Sequence, residues 1–210
     1  GWFNLQKVLT WAQSLLNIQL ASLQVQAIET ALSFSLTVIT GGPGTGKTTL
    51  IQSLVTILQT QFTSFALCSP TGRAAQRLSE ATGAPAQTIH RLLKFNSLTG
   101  KFQYNQHRRL EVDLLLVDEA SMVDLALMSH LLDALPDHCA LILVGDADQI
   151  PSVGFGSVLQ SVIASNRFST VELTDIFRQR EKSLIRLNAH RINQGLMPVE
   201  TPEAQDDFHY

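Results

Sequence analysis

Short, wholly apolar runs alternate with amphipathic stretches along most of this chain. From Leu20 to Leu32, the residues Leu23, Ala27, Ile28, Ala31 and Leu32 recur at helical spacing and predict an amphipathic helix. Ser35 to Thr40 is β-branched, apolar and short, as a buried parallel strand should be, and Thr49 to Val55 returns to helical spacing. Ser64 to Ser69 predicts a second strand, followed by the turn Pro70-Thr71-Gly72, a helix from Arg73 to Ala81 and a short helix over Thr88 to Leu93. Between Asn96 and Arg109, Phe102 and Tyr104 alternate with polar neighbours beside Thr99-Gly100, which predicts a small exposed hairpin inserted between core elements. Leu114 to Val117 is a third strand, and the helix from Val123 to Leu135 is stopped by Pro136. Ala140 to Val144 is a fourth strand, Gly154-Phe155-Gly156 leads into a helix reaching Ile163, Thr170 to Leu173 is a fifth strand, and a last helix runs from Glu181 to a closing Gly195.

Strands that are apolar throughout, each followed by a helix, describe an α/β fold with a parallel sheet covered on both faces. Polar residues collect just past the strand C-termini, the edge where such sheets bind ligands.

At the first of these edges stands Gly41-Gly42-Pro43-Gly44-Thr45-Gly46-Lys47-Thr48, a complete G-x-x-x-x-G-K-[ST] loop between strand and helix. Its glycines let successive backbone N–H groups turn inward round phosphates, at a helix N-terminus whose dipole favours anions. Gly42, Pro43, Gly44, Thr45, Gly46, Lys47, Thr48 and Thr49 are the candidate nucleotide contacts, with Lys47 reaching the β- and γ-phosphates and Thr48 a magnesium ligand. The fold expected is therefore a P-loop nucleotide triphosphatase.

Four further positions refine the chemistry. Asp118 follows four apolar residues, where a magnesium-holding carboxylate sits, and Glu119 beside it is placed to activate the attacking water. Gln149 closes Gly145-Asp146-Ala147-Asp148-Gln149, and its neutral amide can donate to a γ-phosphate oxygen while accepting from water, or can simply lie on the surface. Arg178, in Ile176-Phe177-Arg178-Gln179, offers either a guanidinium for transition-state charge or a structural ion pair.

The chain has 210 residues, 45% of them hydrophobic, which suits one globular α/β domain, and no apolar run approaches a membrane span of about 20 residues. It opens Gly1-Trp2-Phe3-Asn4 without a methionine, as a piece of a longer protein would. Cys68 and Cys139 lie in apolar runs and read as reduced core thiols in a cytoplasmic setting. The net charge is −3, yet from Thr71 to Leu110 the basic residues Arg73, Arg77, Arg91, Lys94, Lys101, Arg108 and Arg109 face the single acid Glu80. Such a basic band suits a phosphate backbone; a solvated face is the other reading.

Taken together these motifs resemble superfamily 1B helicases, and within them the RecD/TraA group of 5′-to-3′ DNA helicases. The resemblance is carried by Leu23-Gln24 with Ala27-Ile28, the P-loop, Ser69-Pro70-Thr71-Gly72-Arg73-Ala74-Ala75, Thr88-Ile89-His90-Arg91, Asp118-Glu119-Ala120-Ser121, Gly145 to Gln149, Phe177-Arg178-Gln179 and Asn188 to Asn193. It implies ATP with Mg2+ as cofactors, adenine contacted by Gln24, Gln149 coupling the γ-phosphate to the DNA track, and Arg178 as an arginine finger. It also implies a single-stranded DNA path lined by Thr71, Arg73, Thr88 and His90, duplex ends as substrates, and partner subunits of a helicase–nuclease complex. The inserted hairpin, about 96–110, matches a strand-separating pin. The implied organisation is a lead-in over 1–20, a first RecA-like motor domain over 21–168, and the start of a second over 169–210. Motifs of that second domain are missing, so the chain alone is expected to bind nucleotide weakly and neither unwind nor translocate. A subunit in which ATP gates DNA binding without driving movement is the alternative. Nuclease action is not expected, because no further carboxylate cluster with a lysine is present.

Overall fold

The structure, a computed structural model, describes residues 5–61, 64–149, 157–174, 191–193 and 195–197. In chain order the elements are α1 (Leu5–Leu16), α2 (Ser22–Ser33), β1 (Leu36–Gly41), α3 (Lys47–Thr60), β2 (Phe65–Ser69), α4 (Gly72–Thr82), β3 (Ala86–Thr88), α5 (Ile89–Leu92), β4 (Phe95–Asn96) and β5 (Lys101–Phe102). They continue with β6 (Leu114–Val117), a 3-10 turn (Ala120–Met122), α6 (Leu125–Ala134), β7 (Ala140–Gly145), α7 (Val158–Ala164) and β8 (Ser169–Leu173).

Six strands form one sheet in the order β3-β2-β6-β7-β1-β8, and every pairing in it is parallel. The inner strands β2, β6, β7 and β1 are largely apolar on both faces because both are covered. Ile39, Leu67, Leu116, Ile142 and Val144 point into a layer completed by Leu9 and Ala12 of α1, Ala27 and Ile28 of α2, Leu50, Leu54 and Ile57 of α3, and Leu78 of α4. Their neighbours Val38, Cys68, Leu115, Val117, Leu141 and Leu143 point the other way, against Ile89 of α5, Met128 and Leu131 of α6 and Leu159 of α7. Burial holds both thiols protonated, Cys68 well above the ordinary range and Cys139 pushed up to about 11.

Two expected boundaries move. The strand assigned to the start of a second domain is the edge of this first sheet: β8 runs parallel to β1, with Thr37 opposite Ser169 and Gly41 opposite Leu173. Its alternation, with Val171 and Leu173 buried between exposed Thr170 and Glu172, is what a strand covered on one face requires. The lead-in over 1–20 likewise contains α1, which belongs to the core through Leu9 and Ala12. One compact unit thus runs to Asp175, and Ile176–Tyr210 forms a second, within which residues 191–193 are helical and Gly195, at φ 73°, closes the turn. Among the described residues no helix is long and apolar enough to cross a membrane.

The hairpin is present as a two-stranded antiparallel pair, β4 with β5, and is held down by rings. Phe102 lies 4.9 Å from Phe95 and 4.7 Å from His130, centroid to centroid. Tyr104 takes Lys94 at 5.3 Å and Arg108 at 5.2 Å over its ring.

The tightest backbone approach is at Gly41, where a methyl group would lie 2.6 Å from Thr45 Oγ1 and 2.9 Å from the Leu173 carbonyl oxygen. Since the carbonyl belongs to a paired strand and cannot step aside, Gly41→Ala should cost about 1–3 kcal/mol in urea unfolding. An unchanged midpoint would show that β8 does not press on the loop.

Candidate nucleotide site and nucleic-acid rim

Parallel strands bring their C-termini to one edge, and the chemistry of this chain lies along it. β1 ends in the phosphate loop, β2 in Ser69-Pro70-Thr71, β3 in Thr88, β6 in Asp118-Glu119 and β7 in the Asp146 to Gln149 turn.

In the loop Gly44 and Gly46 take φ of 77° and 86°, which glycine adopts without strain. The buried Thr45 hydroxyl donates to the Gly42 carbonyl at 2.9 Å and ties the loop across itself. Lys47 Nζ donates to the Gly42 carbonyl at 2.8 Å and also to that of Gly41. Burial pulls the Lys47 pKa below its usual value, while Asp146 and Asp118 pull it back up. Conversely, burial raises the Asp118 carboxyl, and the Glu119 N–H, at 2.9 Å from its Oδ1, together with Lys47, opposes the rise.

Lys47, Thr48, Asp118 and Glu119 line one cavity of about 210 Å3 whose far wall is α4, through Ala74, Arg77 and Leu78. Glu119 sits there on a left-handed backbone, φ 53° and ψ 39°, a conformation costing a non-glycine residue about 1 kcal/mol and typical of functional positions. Burial and the adjacent Asp118 raise its pKa, and Arg77 pulls it down.

The donor set suits magnesium. Thr48 and Asp118 supply two hard oxygens, which leaves room for the waters that this ion retains. A second observation agrees: the Ser69 hydroxyl is fully buried and without a partner among the described residues, at a strand end beside Asp118. Cys68 and Val117 are paired and both point into the α5–α6 layer, so Ser69 and Asp118, one residue on, face the same side as Lys47. A hydroxyl there suits a metal-bound water.

Gln24 has a different setting from the one expected. It is 1% exposed; its Oε1 accepts from the Ala21 N–H at 2.8 Å and its Nε2 donates to the Gly46 carbonyl at 3.0 Å. The first bond is half of a capping box for α2, to which Ala21 has no oxygen to contribute. The second braces the phosphate loop from a helix 22 residues upstream. Among the described residues one N–H of the amide is left without a partner.

Gln149 is exposed, and its Oε1 accepts from the buried Ser121 hydroxyl at 3.0 Å; among the described residues the amide nitrogen has no partner. Ser121 and Arg77 are the site residues that the motif roles did not single out; both are joined to the site by contacts between distant parts of the chain. Arg178 lies outside the described residues.

Along the rim, Thr71 caps α4 by accepting from the Ala74 N–H at 3.2 Å, and Thr88 caps α5 by accepting from the Arg91 N–H at 3.1 Å. Each hydroxyl still has a proton to donate. Because Ser69 pairs with Thr88 across β2 and β3, the two helix starts lie side by side, with exposed Arg73 in the first turn of α4. His90 is exposed, its ring edge-on to Phe95 at 5.4 Å. Arg109 is committed elsewhere, to Asp137 at 2.7 Å and the Leu135 carbonyl at 2.6 Å.

The model of the family described as AAA domain matches residues 24–155. The chain belongs to that family. Among curated relatives, it is 39% identical over 176 residues to the ATP-dependent RecD2 DNA helicase of Deinococcus radiodurans, a match covering 84% of this chain and 24% of that one. It is 42% identical over 164 residues to the RecBCD enzyme subunit RecD of Mycolicibacterium smegmatis, covering 67% of this chain and 30% of the relative. Of solved structures, the Pif1 helicase from Candida albicans superposes with a TM-score of 0.67 at 25% identity, over 86% of this chain and 45% of that chain. The chain therefore spans 24% and 30% of the length of these two curated relatives. The resemblance to RecD-type helicases holds, as does the P-loop α/β fold, and with the family comes the use of a nucleotide.

Removing the Gln24 brace strands a backbone N–H and a carbonyl together. Gln24→Ala should lower unfolding free energy by about 1–3 kcal/mol in denaturant titration. A loss of ATP affinity with unaltered stability would return the side chain to base recognition.

Proposed function

We propose that this chain is the nucleotide-hydrolysing part of an ATP-dependent, 5′-to-3′ DNA motor of the RecD type, acting on single-stranded DNA. The observation that carries the reading is the convergence of Lys47, Thr48, Asp118 and Glu119 on one cavity, beside a rim of two capped helix starts. In this reading ATP is the nucleotide, its phosphates lie in the Gly42 to Thr49 cradle, and Lys47 exchanges its loop carbonyls for phosphate oxygens. Thr48 and Asp118 hold Mg2+, which when bound neutralises phosphate charge. Glu119 takes the proton of the attacking water; burial and Asp118 raise its pKa, the direction that strengthens a carboxylate base.

Gln149 donates from its amide nitrogen to the γ-phosphate side, while its Oε1 accepts from the Ser121 hydroxyl. Thr71, Arg73, Thr88 and His90 hold a DNA backbone through hydroxyls, a guanidinium and an imidazole, groups that grip phosphate without reading bases. Arg178 supplies a further cation for the transition state, and Gln24 adds its remaining N–H to adenine. The relatives named as RecBCD enzyme subunits support work within a multi-subunit complex; duplex ends as substrate and a cytoplasmic setting belong to the same proposal.

Two substitutions test the hydrolytic centre. Lys47→Ala should abolish binding of a fluorescent ATP analogue, whereas Glu119→Gln should keep analogue and single-stranded DNA binding and lose hydrolysis by about 100-fold or more. Turnover surviving Glu119→Gln would remove it as the base; intact binding in Lys47→Ala would remove the phosphate site. DNA-stimulated turnover without movement on 5′-tailed duplexes would favour the ATP-gated subunit over the motor.

A further inference from the structure

The turn that carries Gln149 is fastened by side chains from distant parts of the chain. Pairing between β1 and β7 ends with Thr40 opposite Gly145, and past that point β1 bends into the phosphate loop. Asp146 to Gln149 then close on themselves: the Gln149 N–H donates to the Asp146 carbonyl at 3.2 Å and the Asp148 N–H to Asp146 Oδ1 at 3.0 Å. Both backbone polar groups of Ala147, in the middle of this turn, are taken up from outside it. Its N–H donates to Thr40 Oγ1 at 3.0 Å, and its carbonyl accepts from Nε2 of Gln160, an exposed residue of α7, at 2.7 Å. Behind the turn Gly145 has no room to shift, since a methyl group there would lie 2.9 Å from Leu159 Cδ2 and 3.1 Å from the Ser121 nitrogen. Thr40 is only 7% exposed, in a strand otherwise rich in apolar residues, and among the described residues the bond to Ala147 is the one its hydroxyl makes. The carbonyl of Gly41, the next residue along, receives Lys47. One strand end therefore touches both the lysine of the phosphate loop and the turn of Gln149.

We propose that Thr40 and Gln160 are positioning residues for hydrolysis: by holding Ala147 from two sides they set where the Gln149 amide stands relative to the phosphate loop. The inference rests on the reading of Gln149 as a donor to the γ-phosphate side. Because the turn is closed by its own hydrogen bonds, it shifts as a unit, and a hold on Ala147 is a hold on Gln149. A reacting group misplaced by about 1 Å can cost about 100-fold in rate, so loosening the turn acts on kcat. Nucleotide affinity depends instead on the phosphate loop, which keeps its own tie from Thr45 to Gly42.

The test compares the full-length protein with Thr40→Val, Thr40→Ser, Gln160→Ala and Gln149→Ala, and with Thr40→Val and Gln160→Ala each combined with Gln149→Ala. The readouts are DNA-stimulated turnover and binding of a non-hydrolysable fluorescent ATP analogue with magnesium, with thermal melts as the check on folding. Thr40→Val should lower kcat about tenfold and Gln160→Ala about threefold, both with analogue affinity within about twofold. Thr40→Ser keeps the hydroxyl and should recover most of the loss. In the Gln149→Ala background neither change should slow turnover further, because no amide is left to position. Unchanged kcat in Thr40→Val and Gln160→Ala, a loss confined to analogue affinity, no recovery in Thr40→Ser, or the same loss again on top of Gln149→Ala would each overturn the proposal. Should Thr40→Val fail to fold, Gln160→Ala decides, since it alters only an exposed side chain: a fall in kcat that vanishes in the Gln149→Ala background supports the proposal, and wild-type kcat overturns it. A Gln149→Ala variant with wild-type turnover would instead defeat the role given to Gln149, a failure recognisable without reference to Thr40 or Gln160.

Discussion

A half-buried ammonium needs oxygen around it, and much of this domain can be understood from how Lys47 is accommodated. Its charge rests on the carbonyls of Gly41 and Gly42 and in the field of Asp118 and Asp146. Those acids stand at the ends of β6 and β7, so the balance exists only if three strands finish level with one another. Parallel pairing in the observed register ensures that they do. The loop must also lie close to the sheet, which is why Gly41 has no room for a side chain between Thr45 and the edge strand β8.

What could be read from the residues in order is what is encoded locally. Wholly apolar tetrapeptides such as Leu114 to Val117 have one comfortable place, the middle of a sheet covered on both faces, and the motifs at their ends inherit their position from that. β3 went unseen because Ala86-Gln87-Thr88 is short and only half-buried, and α1 because it sinks only Leu9 and Ala12 while leaving Trp11 and Leu15 exposed. The strand at Ser169–Leu173 was recognised as a strand, but alternation tells which side is covered and not which sheet is joined.

The same limit applies inside the site. Lys47, Asp118 and Glu119 announce themselves through their immediate neighbours. The Gln24 brace on Gly46 and the Ser121 bond to Gln149 join residues 22 and 28 positions apart, and nothing in the local pattern of either partner marks them. Arg77 is hidden in another way: within a basic stretch it looks like one more surface charge, and only the fold separates it from Arg109, which is tied to Asp137.

The left-handed backbone at Glu119 sets two demands against each other at a single position. Glycine would relax that turn and make the domain sturdier, at the loss of the carboxylate proposed as the base.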